Sequence, residues 1–211
     1  MEEPPRAYLL FGIPDSGRRE VLFDLIETAA AAEAPSLFFR PRDEAASPFD
    51  EQIAALPDVD TVAWRLENER IVHGKVSGSA RTVFFMAPGT GNPAEMAEAF
   101  KRWLDHNQCA LARILTVVHC SFLKENPGAT PWFDACVHFS DVVLLNRRET
   151  ADNRWMRDFE ERFRKERYPC RFLTVKKGRV RNPHEVLEPE ARRFSLYFEE
   201  FVPIEEDSLD D

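Results

Sequence analysis

The chain has 211 residues and a formal net charge of −9, with 28 lysine and arginine residues against 37 aspartate and glutamate residues. This length suits one α/β domain with a sizeable core, and the negative charge argues against a nucleic-acid partner because phosphates would be repelled. No apolar run approaches the length that spans a bilayer, and the first residues have no apolar signal-peptide core, so we expect a cytoplasmic protein without a membrane partner. The four cysteines form no C-x-x-C motif, which indicates free thiols rather than structural disulfides.

Buried strands and amphipathic helices alternate along the chain. Short apolar runs predict strands at residues 8–13, 36–40, 59–66, 69–76, 82–86, 111–119, 141–145 and 170–175. Apolar side chains at three- and four-residue spacing predict helices at residues 19–34, 49–56, 93–106 and 152–168, with a shorter helix inside 121–139. This alternation is typical of an α/β fold with a mainly parallel sheet and helices on both faces, a three-layer α/β/α arrangement.

The pattern predicts one domain over residues 1–185, followed by a C-terminal extension over residues 186–211. The end of the extension is strongly acidic, from Glu199 to Asp211. Such a charge run is typical of a solubilising, partly disordered tail, and docking to a basic partner is the alternative.

Two glycines early in the chain have the spacing of a phosphate-binding loop. Gly12 and Gly17 match the glycines of G-x-x-x-x-G-K-[ST], and they lie between a predicted strand and a predicted helix. Two other loops, containing Gly89 and Asn146, also follow predicted strands. Because the carboxyl ends of parallel strands meet at one edge of a sheet, we expect these three loops to come together and form the ligand site.

The three loops and one further strand resemble the CobW/HypB/UreG-type GTPases, most closely the CobW branch, over residues 8–175. Residues 12–19 stand where the family has its phosphate loop, and residues 86–93 where it has a Glu-x-x-Gly segment. Residues 115–119 take the place of a strand that usually ends in aspartate, and residues 141–149 take the place of the Asn-Lys-x-Asp guanine-recognition loop. The resemblance implies a P-loop NTPase-like fold with GTP or GDP as the candidate ligand.

The same resemblance assigns nucleotide contacts to ten residues. These are Gly12, Asp15, Ser16, Gly17, Arg18, Arg19, Gly89, Asn146, Arg147 and Glu149. Within this set, Asn146 matches the family asparagine, the Glu149 carboxylate would accept hydrogen bonds from the guanine N–H groups, and Arg147 would stack on the purine.

Three positions depart from the family pattern in ways that affect chemistry. Arg18 replaces the phosphate-binding lysine and would still offer a charge-assisted contact, although arginine is bulkier and not interchangeable with lysine. Arg19 replaces the hydroxyl that binds magnesium, and Met86 replaces the glutamate. Neither a guanidinium nor a thioether serves as a Mg²⁺ ligand. In addition, Asp15 places a carboxylate beside a helix N-terminus that would otherwise attract an anion.

We therefore expect neither a magnesium nor a zinc site. The region from 62 to 83 contains no cysteine, whereas CobW-like proteins carry a Cys-x-Cys-Cys segment there. Zinc-type side chains occur elsewhere at four positions, His106, Cys109, His119 and Cys120. Their spacing matches no closed zinc site, because adjacent residues at a strand end point to opposite faces. A triad-like set at Ser121, His138 and Asp141 lacks a nucleophile-elbow sequence.

Three function hypotheses follow. The first is a degenerate CobW-like protein that binds nucleotide weakly or not at all, has no catalytic residue and no efficient GTP hydrolysis, and acts through a protein partner in metal homeostasis or regulation. The second is an atypical but active guanine-nucleotide-binding protein with Arg18 and Arg19 at the phosphates. The third is a structural subunit or homodimer, with candidate contact residues Trp132, Phe133, Phe194, Tyr197, Phe198 and Phe201.

Overall fold

The computed structural model describes residues 3–31, 35–76 and 80–199 of the chain. Its strands are β1 (Arg6–Gly12), β2 (Ser36–Pro41), β3 (Val59–Glu67), β4 (Arg70–His73), β5 (Thr82–Met86), β6 (Ala110–His119), β7 (Val142–Asn146), β8 (Arg171–Lys176) and β9 (Arg179–Val180). Its helices are α1 (Arg18–Ala30), α2 (Pro48–Ala54), α3 (Pro93–Asn107), α4 (Cys120–Glu125), α5 (Thr130–Phe139), α6 (Asn153–Lys165) and α7 (Pro183–Leu187), with a 3-10 turn at Pro127–Ala129.

The strands form one sheet in the order β4-β3-β2-β5-β1-β6-β7-β8-β9. All pairings are parallel except the hairpins β3–β4 and β8–β9 at the two edges. The central strand β1 pairs on one side with β5 and on the other with β6. The loops that follow β1, β5 and β7 therefore lie at the same edge of the sheet, and the predicted mainly parallel sheet is confirmed.

Helices cover both faces of this sheet. Along β1, side chains alternate between the faces, so Tyr8 and Leu10 pack in a cluster with α1 while Leu9 and Phe11 pack in a second cluster with α3. All four side chains are at most 4% exposed. Burial on both sides explains why the predicted strands are nearly continuous apolar runs, and the three-layer α/β/α prediction is confirmed.

Side-chain hydrogen bonds at their N-termini place the starts of α3 and α6 close to the predicted positions. The Asn92 side chain accepts a hydrogen bond from the Ala94 N–H at 3.0 Å, and Pro93 occupies the first helical position of α3. At α6, the Asp152 carboxylate accepts from the Trp155 N–H at 2.8 Å. Side-chain caps at these positions supply partners for N–H groups that the helix itself leaves unpaired.

The sequence reasoning missed the two-residue strand β9 and the short helix α7, and it placed one short helix where the structure has both α4 and α5. The turn before β9 has Lys177 at φ 52° and Gly178 at φ 73°, the left-handed pair that a tight hairpin turn requires. Conversely, β4 ends at His73, short of the predicted limit at residue 76.

The first part of the C-terminal extension is bound to the sheet through buried charges. Arg113 on β6 is fully buried and donates to the carbonyl groups of Glu185 at 2.7 Å and Glu190 at 3.1 Å. Asp141, also fully buried, accepts from the Ile114 N–H at 2.7 Å and from the Arg193 guanidinium at 3.1 Å. The acidic tail from residue 200 onward lies outside the described residues.

Over the described ranges, no helix combines the length and the apolar character that crossing a bilayer would demand.

Candidate functional site

The loop between β1 and α1 (residues 13–17), which we call the phosphate-type loop, is a tight turn. Asp15 is at φ 61° and Gly17 at φ 81°, both in the left-handed region. Aspartate tolerates this region better than most residues. Gly17 is required for space as well, because an added Cβ would lie 2.3 Å from the Asn146 side-chain nitrogen. The Asp15 side chain is exposed, so it does not fill the loop.

The hydroxyl of Ser16 lies inside this loop. Ser16 is fully buried, and a Cβ added to Gly12 would be 3.0 Å from its Oγ. Within the described ranges, this Oγ has no hydrogen-bond partner. A buried polar atom without a partner costs about 1–3 kcal/mol, so this hydroxyl destabilises the loop.

The Arg18 side chain is used internally. It is only 2% exposed, and its guanidinium donates to the Ala87 carbonyl at 2.5 Å and to the Glu44 carboxylate. Burial lowers the pKa of Arg18, and the neighbouring Glu44 charge opposes that shift. The guanidinium remains protonated at neutral pH. Its positive charge is therefore already matched by a carboxylate of the same chain.

Glu44 joins three parts of the site. One carboxylate oxygen bonds to Arg18 and lies 3.5 Å from the Arg19 guanidinium, and the other accepts the Gly89 N–H at 2.8 Å. Arg19 in turn pairs with Asp50 at 3.0 Å. The loop after β2 thus supplies an internal anion between the phosphate-type loop and the loop after β5. Sequence reasoning missed Glu44, because it lies in a charged loop with no motif and its partners are distant in sequence.

The loops at Gly12 and Gly89 touch closely. A Cβ added to Gly89 would lie 2.6 Å from the Pro14 side chain and 2.9 Å from the Arg18 guanidinium. Glycine is needed here because no side chain fits between the two loops.

The loop after β7 completes the site. Asn146 is 4% exposed, and its side-chain amide donates to the Ser16 carbonyl at 2.8 Å. Arg147, at φ 48°, extends its guanidinium to Glu20 on α1 at 2.5 Å. Glu149 is exposed and accepts a long hydrogen bond of 3.4 Å from Ser121. The structure therefore brings together all three predicted loops, as expected from the parallel sheet.

A cavity of about 500 Å³ lies beside this loop, between the segment that follows β7 and the β8–β9 turn. Its polar lining includes Arg147, Arg148, Glu149, Lys176 and Lys177. The two lysines come from the hairpin that the sequence reasoning missed. The signal for them was Gly178 among the four residues between Val175 and Val180, since a short loop that contains glycine indicates a hairpin.

The residues present do not fit a magnesium-bound triphosphate. Arg19 is held by Glu44 and Asp50, and Met86 is fully buried. Across the described part of the chain, no three His, Cys, Asp or Glu side chains are grouped so that they would hold a metal ion. The His119 ring accepts the Phe122 N–H at 3.2 Å, and burial lowers its pKa, so it caps α4 as a neutral imidazole.

The triad-like set does not assemble. Ser121 donates to Glu149 and accepts the Thr150 N–H. The His138 ring pairs with the Tyr168 hydroxyl at 3.4 Å, and Asp141 is occupied by backbone N–H groups and Arg193. None of these side chains contacts another member of the set through a hydrogen bond within the described residues.

No protein-family model matches the chain, and no curated protein matches it. Among solved structures, it is similar to a Zn(II)-bound triple mutant of the YjiA GTPase, with a TM-score of 0.58 and 13% identity over 89% of this chain and 62% of that one. The Zn(II)-bound YjiA GTPase from E. coli gives a TM-score of 0.52 and 12% identity, over 90% of this chain and 67% of that one. The signal recognition particle receptor FtsY from Elizabethkingia anophelis, in complex with GDP, gives 0.57 and 11%, over 89% and 64%.

These similarities establish the fold. The chain has a P-loop NTPase-like α/β fold, and its structural similarity to YjiA agrees with the resemblance to the CobW branch. The chain spans less than two thirds of the length of the YjiA mutant and of FtsY. Identities of 11–13% carry the comparison no further than the fold.

Proposed function

We propose that this chain is a P-loop scaffold whose phosphate end is closed by its own Glu44, so that it does not hydrolyse GTP efficiently and acts through protein contacts. One observation carries the proposal, the engagement of the buried Arg18 guanidinium with Glu44 and the Ala87 carbonyl. The regulatory or metal-homeostasis setting that the CobW resemblance implies is part of this proposal.

The ion pair between Arg18 and Glu44 lowers the free energy that phosphate binding can gain. A triphosphate that used Arg18 would have to separate it from Glu44, and breaking a buried ion pair costs about 3–5 kcal/mol when one partner is left uncompensated. Each 1.4 kcal/mol corresponds to about tenfold in affinity. A phosphate that left the pair intact would instead lie beside the Glu44 carboxylate and be repelled. Both routes weaken nucleotide binding.

Turnover faces a second obstacle. Phosphoryl transfer depends on positioning and on neutralising the charge of the transferred group, which Mg²⁺ and the loop lysine supply in P-loop enzymes. Here Arg19, paired with Asp50 at 3.0 Å, stands at the position of the hydroxyl that binds magnesium, and the buried Met86 stands at the position of the glutamate. Neither side chain coordinates a cation.

A protein partner is supported by exposed apolar side chains in the C-terminal extension. Phe194 is 44% exposed, Leu196 68% and Tyr197 41%. The prediction that Phe133 offers a contact surface is wrong, because α5 turns it into the core and it is fully buried. Trp132 is half-buried and donates its indole N–H to the Gly91 carbonyl at 2.8 Å. Phe201 lies outside the described residues.

An atypical guanine-nucleotide-binding protein is the second candidate, favoured by the cavity beside Asn146 and Glu149. It requires Arg18 and Arg19 to leave Glu44 and Asp50 before either guanidinium can reach a phosphate. A homodimer with the C-terminal extension in its interface is the structural alternative to a separate partner.

Calorimetry with GTP, GDP, ATP and ADP, with and without Mg²⁺, together with a GTP turnover assay, tests the proposal. We expect no magnesium-dependent turnover and weak or absent binding by the native chain. The Glu44→Gln variant keeps the side-chain shape but removes the charge, so it should bind GTP at least about tenfold more tightly. Glu51→Gln, at an exposed position of α2, is the matched control and should change nothing. Sustained magnesium-dependent turnover by the native chain would refute the proposal.

A further inference from the structure

One edge of the sheet is open. In the described part of the chain, β4 has only β3 as its neighbour. A strand at an edge presents main-chain N–H and C=O groups that can pair with another chain, and natural edges are often blocked by charged side chains or by being very short. The opposite edge has both protections, since β9 is two residues long and Lys176, Lys177 and Arg179 lie in or beside it. In β4, Arg70 is the one permanently charged residue.

The turn between β3 and β4 fixes which main-chain groups of β4 face outward. Its two central residues, Asn68 and Glu69, have φ angles of 47° and 61°, as a two-residue type I′ hairpin turn requires. The residues that flank such a turn form a hydrogen-bonded pair, and bonded and non-bonded pairs then alternate along the antiparallel ladder. The main-chain groups of Ile71 and His73 therefore point away from β3, toward the open edge.

Helix α3 holds β4 in place from one face of the sheet. Ile71 packs against the cluster that contains Trp103, and the Trp103 indole N–H donates to the His73 ring at 3.1 Å. Arg102 donates to the main chain of the turn at 2.8 Å. Because side chains alternate along a strand, Val72 lies on the other face, where it is 40% exposed. The edge is thus already ordered, which lowers the entropic cost of pairing with a second strand.

We infer that this edge is a dimer interface, in which β4 pairs antiparallel with β4 of a second copy of the chain. A twofold interface must be complementary to itself, and this edge is. With Ile71 opposite His73 of the second copy, every outward main-chain group of these two residues is used, because each such pair exchanges both N–H···O=C bonds. The same register sets the two copies of Val72 against each other on the twofold axis, where their exposed apolar surfaces are removed from water.

The charges just outside the two ends of β4 agree with this register. It sets Glu69 opposite Lys75 of the second copy, and the twofold axis repeats the pair. Both side chains are exposed, Glu69 by 79%. Arg70 comes opposite Gly74 and so meets no like charge. Opposite charges directly across a ladder stabilise it and like charges destabilise it, so main-chain pattern, apolar contact and charge all favour the same pairing.

The interface is separate from the site described above. It shares no residue with the pair of Arg18 and Glu44 or with the C-terminal extension, so it goes beyond the proposed function and does not depend on it. An edge of four residues buries little surface, and interfaces of small area are typical of transient complexes. We therefore expect a reversible dimer that forms at high protein concentration.

Sedimentation of the native chain up to about 1 mM measures this dimer. Val72→Lys sets two ammonium groups against each other on the twofold axis, so it should raise the dimer dissociation constant by at least about tenfold. Val72 is exposed, so the monomer should keep its fold. Leu196→Lys is the matched control, since it makes the same change at an apolar side chain that is 68% exposed in the C-terminal extension. It should leave the dimer unchanged.

A charge exchange tests the register. Glu69→Lys alone should raise the dissociation constant by about fivefold or more, because it brings like charges together at both ends of the interface. The double variant Glu69→Lys/Lys75→Glu should restore the dimer. Hydrogen exchange gives a second readout, since the N–H groups of Ile71 and His73 should exchange more slowly in concentrated than in dilute protein. The Val72 N–H, which faces β3, should change less.

Four results would overturn the inference. They are a monomer over the whole concentration range, equal weakening by Val72→Lys and Leu196→Lys, loss of the dimer in Leu196→Lys alone, and a charge exchange that fails to restore the dimer. The third result would place the interface in the C-terminal extension instead. Because none of these measurements uses a nucleotide, failure here is distinguishable from failure of the proposed function.

Discussion

Arg18 and Glu44 form a buried ion pair that connects the first turn of α1 to the loop after β2. The side chains are 2% and 15% exposed, so water screens the pair weakly. Glu44 also accepts the Gly89 N–H, so the pair holds three loops in one arrangement.

This arrangement predicts strong coupling between the two charges. Arg18→Met or Glu44→Met alone should lower the free energy of unfolding by about 3–5 kcal/mol, since each leaves an uncompensated buried charge. The double variant should lose much less than the sum, because no charge remains unpaired. Urea unfolding of the native chain, both single variants and the double variant measures the coupling. Additive losses would show that the pair is not the stabilising unit.

The contact between Gly17 and Asn146 predicts a second stability effect. Gly17→Ala should destabilise the protein by more than about 1–2 kcal/mol, because alanine is disfavoured at φ 81° and its Cβ would meet the Asn146 amide at 2.3 Å. Gly128→Ala is the matched control, since nothing lies within 4 Å of a Cβ there. Thermal unfolding of the two variants decides the matter, and equal melting temperatures would contradict the packing of the loops described above.

Burial of the cysteines predicts a loss of stability at high pH. Burial raises the pKa of Cys120 and of Cys170 from 9.0 to about 12. Between pH 9 and 12 the unfolded thiols lose protons that the folded ones retain, so the free energy of unfolding falls as pH rises, by up to about 1.4 kcal/mol per unit for each thiol.

Urea unfolding at neutral pH and at about pH 10.5 measures this effect. The Cys120→Ala/Cys170→Ala variant should show a shallower decline than the native chain over the same interval, because the alanine side chains do not ionise. Parallel declines in the two proteins would exclude the thiols as the source.

The Asp141 carboxylate predicts how firmly the C-terminal extension is held. It accepts from Ile114, Arg192 and Arg193, and an amide has only one acceptor oxygen, so Asp141→Asn should loosen the segment around residues 190–195. We expect faster proteolysis at Arg192 and Arg193, with hydrogen exchange at Asn146 and along β1 little changed. Asp158→Asn, on the exposed face of α6, serves as the control. Unchanged cleavage in the Asp141 variant would show that the apolar contacts alone retain the segment.

The sequence predicts much of the scaffold because its signals are local. Asn92 and Pro93 mark the start of α3, and continuous apolar runs mark β1, β5 and β7. The meeting of the Gly12, Gly89 and Asn146 loops follows from parallel strands alone. The sequence alone therefore suffices to place the phosphate-type loop beside the Gly89 and Asn146 loops.

The remaining parts of the site depend on contacts that no local pattern encodes. Glu44 is 26 residues from Arg18 and 45 from Gly89, so its role depends on how one loop crosses another. Phe133 was misplaced because the pattern of α5 does not say which face meets the sheet. The lysine pair before β9 was missed because a two-residue strand gives too short a signal for periodicity.

Strand β7 also connects the residue that holds the C-terminal extension to the residue that holds the loop after β1. The strand begins immediately after Asp141, whose carboxylate accepts a hydrogen bond from Arg193 of the C-terminal extension. It ends at Asn146, whose side chain donates to the Ser16 carbonyl. Its five residues form an extended strand roughly 17 Å long, paired on both sides within the sheet. A partner protein that pulled on the exposed Leu196 would therefore strain the contact between Arg193 and Asp141 at one end of β7. The loop that carries Ser16 is bonded to the other end of the same strand.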